Sequence, residues 1–153
     1  MNVSRFNWSY LASIGLILAG VLSNCSAQPS GPDIRVQEAW ARPGLKSVPG
    51  AFYMTVDNQG GEADRLTGGE SFLCSAVEIH RSVKREDGVM GMEPVQGGLD
   101  IPGGETVFLE PGGLHMMCIG KSQAFEVGDD LPLTLHFERS GSIRVEYNVQ
   151  TGK

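Results

Sequence analysis

The sequence predicts an all-β domain, an antiparallel sandwich or barrel, and three observations support that prediction. Glycine is abundant, 21 of 153 residues, and prolines punctuate the chain at Pro43, Pro49, Pro94, Pro102, Pro111 and Pro132. Both residues disfavour helix interiors and mark turns. Between the turns run short segments of alternating apolar and polar residues, and none of them keeps a helical period.

In chain order, "IRVQEAW" opens the domain as a strand from Ile34. "AFYMTVDNQG" places Phe52, Met54 and Val56 on one face and ends on an Asn-Gln-Gly turn. "VEIH" points Val77 and Ile79 inward and leaves Glu78 and His80 on the other side. "ETVFLE" is a further strand. "LTLHFE" sends Leu133, Leu135 and Phe137 inward and His136 to the solvated face. "SIRVEYNVQ" alternates most cleanly, with Ile143, Val145, Tyr147 and Val149 facing one way and Arg144, Glu146, Asn148 and Gln150 the other. Six or more strands over about 120 residues can bury a core between two β layers roughly 10 Å apart, so the fold needs no metal to stand. There is no internal repeat.

The first 27 residues do not read as part of that domain. Met1 to Tyr10 carries one charge, Arg5, and an apolar run from Leu11 to Leu22 is too short to span a bilayer. It leads into the small and polar "SNCSAQPSGP". This is the layout of a secretory signal, with two processing outcomes: cleavage after Ala27, or lipid attachment at Cys25, where "LSNC" loosely resembles a bacterial lipobox. Lipidation is the preferred outcome, because it explains a cysteine placed between an apolar run and a Ser, Gln, Pro and Gly tether, although Asn24 departs from the usual small residue before that cysteine and an uncleaved membrane-anchor helix is the alternative. The organisation expected is therefore residues 1–27 as signal or lipoprotein signal and tether, then a β domain over 34–150, outside the cytoplasm.

Beyond Arg5 the chain carries 11 basic residues against 18 acids, a net of −7. A surface of that sign repels phosphate backbones, which argues against a nucleic-acid partner, and it tolerates cations. Cys74 and Cys118 are 44 positions apart; one disulfide between them is open in an oxidising compartment, but they do not form a disulfide scaffold. Alternation sends Cys118 away from His115 and Met117, where it reads as a small buried hydrophobe beside Ile119.

The chemistry lies in sulfur and imidazole. Met54 belongs to a core-facing strand position, but Met90, Met92, Met116 and Met117 lie in glycine-flanked segments where exposed thioethers are an oxidation liability. The segment "GLHMMCIG" reads as a loop that follows a Pro-Gly-Gly turn. In an extended chain His115 and Met117 project to one side and Met116 to the other, towards packing. With His80 at the end of its strand, and Met92 after eleven intervening residues, the set is two imidazoles and two thioethers. Thioether sulfur is soft and selects copper in its +1 state, whereas zinc favours thiolates and calcium or magnesium require oxygens. Neither neutral ligand type releases a proton on binding near pH 7, so binding should fade only as the imidazoles protonate, around pH ~6.5 and below.

The stretch "VEIHRSVKREDGVMGMEPVQGGLDIPGGETVFLEPGGLHMMCIG" through "LPLTLHFE" resembles the periplasmic copper chaperones of the PCu(A)C type, as do "EAWARP" and "AFYMTVDNQG". The resemblance spans Ile34 to Val149. The family's pattern of a histidine, a methionine and then H-x-M falls on His80, Met92, His115 and Met117, with Met90 as reserve should the hairpin be shifted. Many members carry more methionines after the first histidine, where this chain has Arg81, Ser82 and Val83. The resemblance implies a cupredoxin-like Greek-key sandwich or barrel that carries Cu(I) to a copper-accepting protein such as a cytochrome oxidase subunit; a monomer is expected.

Three other readings compete. A blue-copper electron carrier shares the fold class but needs a thiolate with its two imidazoles, and Cys118 faces the wrong way. A copper enzyme needs an open metal position beside an acid or base, and Glu78, Glu93 and Asp100 read as solvated surface. An anchored β domain that binds another protein through a methionine patch leaves both histidines unexplained.

Overall fold

The structure is a computed structural model that describes residues 31–152; the leader and Cys25 lie outside the described residues. Among the described residues there are ten strands and no helix. They are β1 (Ile34–Ala41), β2 (Gly50–Asn58), β3 (Asp64–Glu70), β4 (Ala76–Lys84), β5 (Met90–Pro94), β6 (Leu99–Ile101), β7 (Thr106–Leu109), β8 (Leu114–Ile119), β9 (Asp130–Phe137) and β10 (Gly141–Val149).

Seven of these strands close on themselves in the order β4-β8-β2-β1-β10-β9-β3, with β3 returning to β4 through the pair Gly69 and Val77. The fold class expected from the sequence holds, and it is the barrel form that occurs. Closure removes two sheet edges. β5 extends the sheet beyond β4, β6 flanks β3, and β7 pairs with β2 beside β8.

The core lies inside the ring. Phe52, Val56, Leu66, Met116, Leu133, Leu135, Tyr147 and Val149 are all fully buried, which matches the inward faces expected of β2, β9 and β10. Burying each such side chain stabilises the fold by about 1.5–3 kcal/mol. Met54 packs in the same core, and the buried Tyr147 hydroxyl donates to its Sδ at 2.8 Å. Desolvation pushes the Tyr147 phenol far above its ordinary pKa, so it stays a proton donor.

Three local features shape the ends and faces of these strands. The Asn-Gln-Gly turn after β2 is organised by buried Asn58, whose Oδ1 accepts from the Asp33 and Gly60 amides while Nδ2 donates to the Glu62 and Ile101 carbonyls. In β1 the register with β2 shifts between Gln37 and Trp40, and Glu38 adopts φ 51°. That bulge changes which residues face inward. Val36 pairs with the core residue Val56, but past the bulge Ala41 pairs with Phe52, so Ala41 enters the core and Trp40 lies outside against Tyr53. At Gly50 a Cβ would sit 2.5 Å from the Phe125 ring, so only glycine fits where β2 passes the end of β8.

The structure corrects two expectations. The segment around His115 is a strand, β8, hydrogen-bonded on both sides between β4 and β2, and not a loop. Its flanking glycines and its Met, His and Cys content hid the strand pattern. Cys118 is buried, but as one half of a disulfide with Cys74, Cα–Cα 5.4 Å, and not as a free small hydrophobe. Alternation gives the face of a side chain and is silent about its partner.

Candidate metal centre

Both predicted histidines arise from adjacent strands. His80 on β4 lies directly opposite His115 on β8, and their ring centroids are 6.1 Å apart at 42°. Because side chains alternate, the pair faces the outside of the barrel while Ile79 and Met116, the adjacent cross-strand pair, fill the core. Two positions along β8 from His115, Met117 lies opposite Glu78 on β4 and Ala51 on β2. On β5, Met92 pairs with Ser82, two residues beyond His80 and on the same face. Met92, His115 and Met117 line one cleft of about 130 Å³, with Val48, Pro49, Gly50 and Ala51 as its other wall. His80 joins them through its pairing with His115. Three of the four predicted side chains thus share the cleft, and the fourth, His80, does not line it but lies opposite His115 on the neighbouring strand.

Met90 shares the outer face of β5 but pairs with Lys84, one step further from the histidines, and it does not line the cleft. His136 is half-exposed on β9, its Nδ1 3.0 Å from the Ser142 hydroxyl, as expected of a solvated strand residue. Asp100 pairs with Arg65 at 2.7 Å on β6 and β3. Glu78 corrects the reading of a merely solvated carboxylate: its Oε2 is 2.9 Å from His80 Nε2. The signal for this contact was its i−2 spacing on the same strand face as His80.

The histidines are buried, His80 to 8% exposure and His115 to 2%. His115 Nδ1 is 3.2 Å from the Gly113 carbonyl, and the Tyr53 ring lies 6.2 Å from the imidazole. Trp40 stacks on Tyr53 at 4.5 Å and the Arg42 guanidinium lies 5.6 Å above the Tyr53 ring, so one flank of the pair is aromatic. Each imidazole keeps one buried nitrogen with no hydrogen-bond partner, His80 Nδ1 and His115 Nε2. Burial pushes the His115 pKa below 6.5; the bond to Gly113 opposes that, and the neighbouring His80 and Arg42 add to it. Burial thus favours the neutral form of His115, which has a lone pair to give. Among the described residues no three His, Cys, Asp or Glu side chains gather around a metal position, so an ion here depends on the thioethers.

Comparison with known proteins identifies the family and the fold. The family model "Putative lipoprotein LpqE-like" matches residues 34–149. "Putative lipoprotein Lxx21020" of Leifsonia xyli subsp. xyli (strain CTCB07) is 31% identical over 127 residues, 81% of this chain and 75% of that relative. Among solved structures, the "Copper-bound PCuAC domain from PmoF2" is 27% identical, with 81% of this chain and 95% of that domain covered at a TM-score of 0.63. The "Apo PCuAC domain from PmoF1", at 22% identity, 76% and 92% coverage and a TM-score of 0.65, shares the fold. So does CuI-DR1885 from Deinococcus radiodurans, at 24% identity, 76% and 78% coverage and a TM-score of 0.57. The chain belongs to the LpqE-like family, and its barrel is that of the PCuAC domains.

Proposed function

We propose that this domain is an extracytoplasmic Cu(I) carrier, a metallochaperone and not an enzyme, with His80, Met92, His115 and Met117 as its ligands. The observation that carries the reading is the pair of buried imidazole nitrogens left without hydrogen-bond partners. A buried polar atom without a partner costs about 1–3 kcal/mol, a cost that a bound cation with two thioether neighbours offsets. The likeness to a copper-bound PCuAC domain at 27% identity supports the choice of metal.

Four neutral ligands hold Cu(I) away from free solution, and release needs no energy source. An acceptor that offers thiolates replaces the thioethers and imidazoles stepwise, because thiolate binds Cu(I) more strongly. The acceptor proposed is a copper-binding subunit of cytochrome oxidase or a related cuproprotein. The carrier acts as a monomer, held at the membrane through Cys25. A blue-copper role is disfavoured because Cys118 is engaged with Cys74 and offers no thiolate.

X-ray absorption on the reduced, copper-loaded protein tests the ligand set, with two sulfur and two nitrogen neighbours expected. In a Cu(I)-chelator competition, Met116→Ala and His136→Ala should retain the affinity of the parent protein. Oxygen neighbours in the first shell, or equal losses at Met116 and Met117, would refute the assignment.

A further inference from the structure

The geometry points to Glu78 as a positioning residue that makes the two histidines bind through different nitrogens, His80 through Nδ1 and His115 through Nε2. The identity of the ion rests on the proposed carrier function; the nitrogen assignment rests on hydrogen bonding in the protein alone.

A neutral imidazole has one N–H and one lone pair, and what its first nitrogen bonds to decides which is which. An ionised carboxylate only accepts. Glu78 Oε2, 2.9 Å from His80 Nε2, therefore fixes the proton on Nε2 and leaves the lone pair on Nδ1. A peptide carbonyl also only accepts. The Gly113 oxygen, 3.2 Å from His115 Nδ1, fixes the proton there and leaves the lone pair on Nε2. The two nitrogens freed in this way, His80 Nδ1 and His115 Nε2, are the two that are buried and unpartnered. Supports of this kind fix ring orientation and raise ligand basicity at metal sites.

The two supports differ in kind. For His115 the acceptor is backbone, set by the Pro-Gly-Gly turn that leads into β8. For His80 it is a side chain that keeps 47% of its surface exposed, two residues earlier on the same outward face. Glu78 also lies opposite Met117, so its negative charge sits beside a site whose four ligands carry none. That charge would offset the single positive charge of a bound Cu(I).

Long-range proton–nitrogen NMR tests this, since Cu(I) is diamagnetic. In the metal-free protein, His80 should be protonated at Nε2 and His115 at Nδ1, the minority form of a free imidazole. On adding Cu(I) the His80 Nδ1 and His115 Nε2 resonances should move. Glu78→Leu should lose the His80 Nε2 proton signal to solvent exchange and weaken Cu(I) about 10-fold. Glu78→Gln, which keeps an acceptor oxygen and removes the charge, should recover part of that loss. Binding of Cu(I) by His80 Nε2, or a Glu78→Leu protein with unchanged affinity and unchanged His80 shifts, overturns the proposal. If the parent protein takes up no Cu(I), the carrier reading fails, and the metal-free spectra of parent and Glu78→Leu still decide the role of Glu78.

Discussion

The two halves of the candidate site are built differently. The histidine half stands on β4 and β8, both members of the closed ring, with the two residues at 8% and 2% exposure and each imidazole held by its own acceptor. The Cys74–Cys118 bridge joins the chain just ahead of β4 to the far end of β8, so the two histidine strands are also tied covalently. The thioether half is looser. Met92 lies on β5, an edge strand outside the ring, and is 57% exposed. Met117 shares β8 with His115 and bridges the two halves. In a carrier this asymmetry sets the order of exchange. Under the proposed carrier function, an incoming ligand is expected to displace the exposed Met92 thioether first, with the buried imidazoles retaining the ion.

The largest expected effect tests the rigid half. Replacing both Cys74 and Cys118 by Ala should lower the free energy of unfolding by about 4 kcal/mol, from the chain entropy of a 44-residue separation, measured by chemical denaturation. A change below 1 kcal/mol would show that the barrel holds the β4–β8 register unaided. Next, His115→Ala should weaken Cu(I) by at least about 100-fold in chelator competition, which is ~2.7 kcal/mol. Met92→Ala should cost less, about 10-fold or ~1.4 kcal/mol, and most of it should appear as faster transfer to a thiol chelator in stopped-flow. Equal losses at His115 and Met92 would erase the distinction between the halves.

The smallest effect concerns pH. Because burial depresses the His115 pKa in the folded state, the unfolded chain takes up the proton first as pH falls. Stability from this group is present above pH 6.5 and is lost as pH falls from 6.5 through the depressed value. Denaturation of the metal-free protein across that range should show the slope, and His115→Gln should flatten it. For the same reason Cu(I) should stay bound below the pH at which a free imidazole lets go. Copper release with a midpoint at or above pH 6.5 would break that link between burial and retention.

Much of the architecture was legible in the sequence. β2, β9 and β10 follow period-two alternation because one face of each meets the core and the other meets water. β8 was not legible as a strand: it is short, bounded by glycines, and rich in residues whose strand preference is weak. β3 was also obscure, since in "DRLTGGE" only Leu66 supplies a fully buried large side chain. At the site, the shared face of His115 and Met117 follows from spacing, but the approach of His80 depends on a register between distant strands, and composition does not encode it. The disulfide was one of several open outcomes for the same reason. Glu78 was visible only as a charge on a strand, because its effect on His80 depends on a rotamer.

The extra residue in β1 shows how strand length, and not composition, can build an aromatic flank. With Glu38 present, Trp40 rests on Tyr53 beside His115, and Ala41 takes the interior position. Deleting that one residue would restore strict alternation, drive an indole into a space sized for a methyl group, and strip the imidazole pair of its neighbour. A change that touches none of the four candidate ligands would then open the candidate metal site to water from the side.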